Sequence, residues 1–138
     1  MTVEELIETH PDPTSADREA LLRCIGDCFD CAATCISCAD ACLGQDDVRD
    51  LVRCIRICLD CADVCDAAGR IVTRQTEPDL GVTRATIEAC AETCRSCGAE
   101  CERHAHQHEQ CRICAAACRR CEQSCNDLLV TIRVGEQS

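Results

Sequence analysis

The sequence predicts an all-α protein, an antiparallel up-down-up-down four-helix bundle with a short N-terminal helix and a cysteine-lined core. Nineteen cysteines in 138 residues fall into four blocks. These are Cys24, Cys28, Cys31, Cys35, Cys38 and Cys42; Cys54, Cys58, Cys61 and Cys65; Cys90, Cys94, Cys97 and Cys101; and Cys111, Cys114, Cys118, Cys121 and Cys125. Within every block the steps alternate between three and four residues, which keeps one side chain per turn on a single helix face. The motif C-x-x-x-C-x-x-C-x-x-x-C occurs intact in all four blocks and makes them an internal repeat. The connections Gly44-Gln45-Asp46 and Ala105-His106-Gln107 are short, and short connections make successive helices antiparallel neighbours.

The elements follow in order. Thr2-Val3-Glu4-Glu5 is a capping-box pattern that predicts a helix over about residues 3–9, a lid or strap stopped by Pro11 and Pro13. Thr14-Ser15-Ala16-Asp17 caps the first bundle helix, which carries Leu21 to Leu43 and stops at Gly44 as a left-handed terminus. Asp46 or Asp47 caps the second helix, which runs to about Arg74 and is closed off by Pro78. The third begins near Leu80 to Thr83 and reaches His104 or Ala105. The fourth runs from about His108 to Ile132, with Gly135 beyond. No linker or low-complexity stretch interrupts them, so one domain spans residues 1–138, its bundle at about 15–132.

Composition makes the core unusual. Phe29 is the sole aromatic residue, and the large apolar residues are too few to fill a bundle without the cysteines. Small thiols meeting from four sides should leave a void, because interiors are close-packed, and something should occupy it. The net charge of −11 argues against nucleic acid, which rewards basic patches and stacking aromatics. The first residues lack a basic stretch followed by an apolar one, and no run approaches a membrane span. The expected location is therefore the cytoplasm, where thiols stay reduced. Helical neighbours three or four apart have Cβ atoms about 5–6 Å apart, beyond the roughly 3.5–4.5 Å of a disulfide. The odd count leaves at least one thiol unpaired in any oxidised scheme.

Soft thiolates select Cu(I), Zn(II) and iron–sulfur clusters. Zinc wants about four ligands in an isolated tetrahedron, and cubanes draw their cysteines from loops that wrap the cluster. Here the thiols run unbroken along the axis. Cu(I) is satisfied by two or three thiolates, which a C-x-x-x-C pair and a neighbouring helix supply. A thiolate can also bridge two metals. The seam therefore fits many Cu(I) ions per chain best, with a zinc-thiolate buffer or an iron–sulfur electron carrier as the alternatives. Metallothioneins lack the helix-supporting apolar residues that interleave these blocks, such as Leu22, Ile25, Ile55, Leu59, Val64, Ile113 and Leu129. No nucleophile–base pair or carboxylate dyad supports catalysis, and the protein reads as a non-enzyme.

With its fourfold cysteine stripes, its leaderless N-terminus and its histidines His104, His106 and His108 between the third and fourth stripes, the chain resembles the bacterial cytosolic copper storage proteins. The resemblance covers about residues 15–132. It implies a homotetramer of bundles, each holding many Cu(I) ions on cysteine thiolates, with histidines near one mouth. All nineteen cysteines take ligand roles by this resemblance, and a copper chaperone or a small thiol is the expected source of the copper. Exported relatives carry a signal sequence and methionines at the mouth, and this chain has neither.

The two ends of the seam differ. Leu21, Val72, Ile87, Leu128 and Ile132 extend it at one end, which reads as plugged. At the other end it passes from Cys101 to His104, begins at His108 ahead of Cys111, and meets Gln45 beyond Cys42. That end reads as the mouth, since an imidazole can hold copper and exchange it. His106 sits mid-turn off the register, and His10 has no register at all.

Overall fold

A computed structural model describes residues 2–12 and 17–137 of the chain, with side chains described through Ile132. Five α-helices follow one another: α1 (Thr2–Glu8), α2 (Arg18–Leu43), α3 (Val52–Thr73), α4 (Leu80–His104) and α5 (Glu109–Gln137). A 3-10 turn over Val48–Leu51 leads into α3. No strand occurs among the described residues.

The caps explain most of the boundaries. The Asp17 carboxylate accepts from the Ala20 amide at 2.9 Å and starts α2, and Asp79 accepts from the Val82 amide at 3.2 Å and starts α4. Each satisfies an amide that has no partner inside its helix. Pro13 and Thr14 to Ala16 lie outside the described residues.

Four expectations are corrected. Thr2 is the first residue of α1, not its cap. Gly44 ends α2 at φ −87°, a right-handed conformation, and its amide closes the last turn by donating to the Ala41 carbonyl. Asp47 makes no side-chain cap; its carboxylate accepts instead from His108. Helix α5 continues through Gly135 to Gln137. A lone glycine costs a helix interior about 1 kcal/mol but does not terminate it.

Sulfur pairs fix the direction of the four long helices. Cys24 at the start of α2 meets Cys125 near the end of α5, and Cys42 at the end of α2 meets Cys111 at the start of α5, both at 3.9 Å. Cys54 meets Cys101 and Cys65 meets Cys94, so α3 and α4 also run antiparallel. Diagonal partners run parallel, as Cys28 with Cys90 and Cys35 with Cys97 show for α2 and α4. Alanines directly after stripe cysteines, Ala32, Ala39, Ala62 and Ala115, are buried with them. Their small side chains let neighbouring helices approach until the thiols meet.

The end predicted as plugged is apolar and closed. Leu21, Val72, Ile87, Leu128 and Ile132 are all buried. A cavity of about 30 Å³ lies among Leu21, Val72, Leu128 and Ile132, walled by Leu80 and Pro78 from the α3–α4 connection. Helix α1 contributes Ile7 to the same core. The His10 ring behind α1 reaches Thr76 of that connection at 3.4 Å, which places α1 as a strap over this end.

Candidate metal centre

All nineteen cysteines are free and buried. Their sulfurs touch along the axis, at separations of 3.5 to 3.9 Å, where the sequence reading places a void. The i,i+4 pair Cys31 and Cys35 is 3.8 Å apart, and Cys118 of α5 stands 3.8 Å from the first and 3.9 Å from the second. Cys61, Cys65 and Cys94 form a second triangle with edges of 3.7, 3.9 and 3.5 Å. The centre of a triangle of this size lies about 2.0–2.3 Å from each sulfur, close to the metal–thiolate distance of a d¹⁰ ion.

The thiols also gather in overlapping fours, each with sulfurs within 4.8 Å of one another. Going from the plugged end towards the mouth, Cys28, Cys90, Cys121 and Cys125 share Cys121 with the next four, Cys31, Cys65, Cys94 and Cys121. Cys31 leads on to Cys31, Cys35, Cys61 and Cys118, then Cys35 and Cys118 to Cys35, Cys97, Cys114 and Cys118. Cys114 leads to Cys38, Cys58, Cys101 and Cys114. Cys24, Cys42, Cys54 and Cys111 flank this run through their own sulfur contacts. A string of sites joined by shared ligands is suited to bridging thiolates and ill suited to separate tetrahedra.

Hydrogen bonds among the thiols divide their protons unevenly. Cys125 and then Cys28 hold Cys24 down to about 5, against the opposing effect of burial. Cys101 foremost holds Cys97 down to about 7. Cys61 lies far below the ordinary thiol range because Cys118, Cys31, Cys35 and Cys65 all hydrogen bond to it. Cys35, bonded to Cys114 and Cys118, and Cys94, bonded to Cys121 and Cys31, are pushed up, and burial adds to the rise. A thiolate in the stripe is stabilised only while its neighbours keep their protons, so full ionisation of the stripe requires cations.

At the opposite end from the plug, His104 and His108 are largely buried, with side chains 13% and 9% exposed. His104 Nε2 donates to Glu100 Oε2 at 3.1 Å. His108 Nε2 donates to Asp47 Oδ2 at 2.9 Å, and that bond holds the Asp47 carboxyl below the usual carboxylate range. Glu100 is itself buried, 6% exposed, and accepts from Arg103 Nη1 at 2.7 and 3.1 Å. Arg53 stands 3.5 Å away. His106 is exposed in the turn. Gln45 serves the turn through its backbone, its amide donating to the Cys42 carbonyl.

Sequence reasoning missed four residues at this end. Gln110 Nε2 donates to Cys42 Sγ at 3.7 Å. Leu51, three residues before Cys54 on the seam, is fully buried. Glu100 was legible as the i−4 partner of His104, a spacing that brings helical side chains together. Asp47 was read only as a cap.

The comparisons agree with this geometry. The family model described as copper storage protein matches residues 17–130. The structure of the copper storage protein Ccsp from Streptomyces lividans loaded with 10 copper equivalents is 52% identical, with a TM-score of 0.91 over 94% of this chain and 98% of that one. A structure of copper loading to the cytosolic copper storage protein of the same organism, with five coppers, is 54% identical over 81% of this chain and 93% of that one, with a TM-score of 0.80. A variant of Ccsp with two histidines replaced by alanine is 52% identical over 85% of this chain and 98% of that one, with a TM-score of 0.84. No curated protein sequence matches.

Proposed function

The chain belongs to the copper storage protein family, and from that premise we propose that it holds many Cu(I) ions on its nineteen core cysteines and acts as a store, not as an enzyme. The observation that carries this reading is the sharing of thiols between successive fours, Cys121, Cys31, Cys35, Cys118 and Cys114 being the links. Two-fold use of each sulfur lets capacity approach one ion per thiol, whereas separate zinc tetrahedra would consume four thiols each. The triangles Cys31-Cys35-Cys118 and Cys61-Cys65-Cys94 supply the three-coordinate sites that Cu(I) accepts.

The proposed role of the mouth rests on His104 and His108. Neutral imidazoles there would take Cu(I) and pass it to Cys101, Cys111 or Cys42, while His106, exposed in the turn, would meet copper first or not at all. The whole chain works as one domain in this reading. A cytosolic setting, a homotetrameric assembly and delivery by a copper chaperone or a small thiol complete it. The setting draws support from the cytosolic relative and from thiol chemistry that requires reducing conditions. Among the described residues no helix is long and apolar enough to cross a membrane.

The test is anaerobic titration of the reduced protein with Cu(I) and with Zn(II) against a competing chelator. Uptake well beyond four Cu(I) per chain is expected, with ultraviolet thiolate absorption and no visible bands, because the ion is d¹⁰. Saturation at one or two equivalents would overturn storage.

A further inference from the structure

Glu100 is the one buried carboxylate among the described residues, and the thiol store makes no use of it. A buried carboxylate must be held by donors, and Glu100 has three: Arg103 at 2.7 Å, Arg53 at 3.5 Å and the His104 ring at 3.1 Å. Two of these are surface arginines, with side chains 66% and 74% exposed. The third is an imidazole at the mouth. Across the same mouth, Asp47 has the same relation to His108. The two pairs come from different parts of the chain. Glu100 and His104 share α4, whereas Asp47 lies in the α2–α3 connection, 61 residues before His108. Both use Nε2.

An ionised carboxylate can only accept, so each Nε2 must carry the proton. A neutral imidazole protonated at Nε2 has its free lone pair at Nδ1. Imidazoles that ligate metals commonly donate their other N–H to a carboxylate, which fixes the tautomer and the ring orientation and raises ligand basicity. Taking the mouth reading above as given, we infer that Glu100 and Asp47 are positioning residues for copper loading, which hold His104 and His108 by Nε2–H so that Nδ1 is the atom offered to incoming Cu(I). The arginines on Glu100 keep its charge in place while the ring is held. Copper then meets two preset nitrogen lone pairs ahead of the thiols, with no ring flip needed before binding.

Two measurements test this. Long-range ¹H–¹⁵N spectra of the unaltered copper-free protein report histidine tautomers directly, and both His104 and His108 should be of the Nε2–H form. Stopped-flow uptake from a Cu(I)–bathocuproine complex should be about tenfold slower in Glu100→Ala. Glu100→Gln, whose amide oxygen still accepts, should recover part of that rate. Final capacity should stay the same in both, and Glu100→Ala should add nothing in a His104→Ala background. The inference is overturned by Nδ1–H tautomers, by wild-type uptake in Glu100→Ala, or by an equal slowing when His104 is already absent. Should Glu100→Ala not fold, the tautomer spectra and Glu100→Gln decide. Wild-type uptake in His104→Ala/His108→Ala would remove the mouth reading together with the inference, whereas slow uptake there with normal uptake in Glu100→Ala would remove the inference alone.

Discussion

Cys65 of α3 and Cys94 of α4 bring their sulfurs to 3.5 Å, a contact with no room for an ion midway between them. A cation must sit to one side, at the centre of the triangle that Cys61 completes. In the proposed store, binding there would displace the thiol protons of the pair, as it would at the triangle of Cys31, Cys35 and Cys118.

That exchange sets the pH dependence. Cys35 and Cys94 lie above the ordinary thiol range, so they hold protons at neutral pH and must release them to bind. Cys24, which Cys125 and then Cys28 hold below the ordinary thiol range, contributes less to that release. Every proton released on binding makes acid a competitor of copper, so affinity should fall continuously from pH 9 to pH 6. Chelator competition at several pH values and proton release in weakly buffered solution check this. An affinity independent of pH would contradict it.

Loss of one mid-stripe thiol should be mild. In Cys61→Ser the triangle with Cys65 and Cys94 is broken, but Cys90 remains 3.7 Å from Cys65 and can re-bridge it. Capacity should drop by about one ion, with unchanged helical circular dichroism, as metal analysis after gel filtration would show. Loss of all binding would favour one indivisible cluster.

The plug should matter to folding and not to loading. Leu128 is fully buried between Leu21 and Ile132 at the closed end. Leu128→Ala should lower stability of the copper-free protein by about 2–5 kcal/mol, read by chemical denaturation. Uptake should keep its rate, because the proposed entrance lies at the other end. Faster uptake in a folded Leu128→Ala protein would place the mouth wrongly.

The stripes made the bundle legible, because a three-four alternation has one regular structure that satisfies it. The apolar plug was legible for the same reason, as a continuation of the seam through Leu21, Val72, Ile87, Leu128 and Ile132. The helix ends were less so. Asp47 and Gly44 carry local signals for a cap and a left-handed stop, but Asp47 pairs with His108 and Gly44 closes the last turn on the Ala41 carbonyl. Closure of the predicted void was also hidden. It depends on how near the helices come, which buried alanines and glycines decide and periodicity does not.

Two glycines, one half-buried and one buried, separate backbone cost from packing. An added Cβ at Gly26, inside α2, would meet no heavy atom within 4 Å. Gly26→Ala should therefore gain the helix preference of alanine, about 1 kcal/mol, or about 4 °C in melting temperature for a domain of this size. At Gly69, inside α3, the added atom would stand 2.9 Å from Phe29 Cζ, 3.0 Å from Cε1 and 3.1 Å from Cε2. The same intrinsic gain is then set against displacing the one aromatic ring that α2 packs on α3. Gly69→Ala should melt below the unaltered protein and Gly26→Ala above it. Neither position lies on a thiol stripe, so copper capacity should be unchanged in both. Equal stabilisation by the two substitutions would mean that Phe29 moves aside freely and that the thiols alone set the α2–α3 spacing.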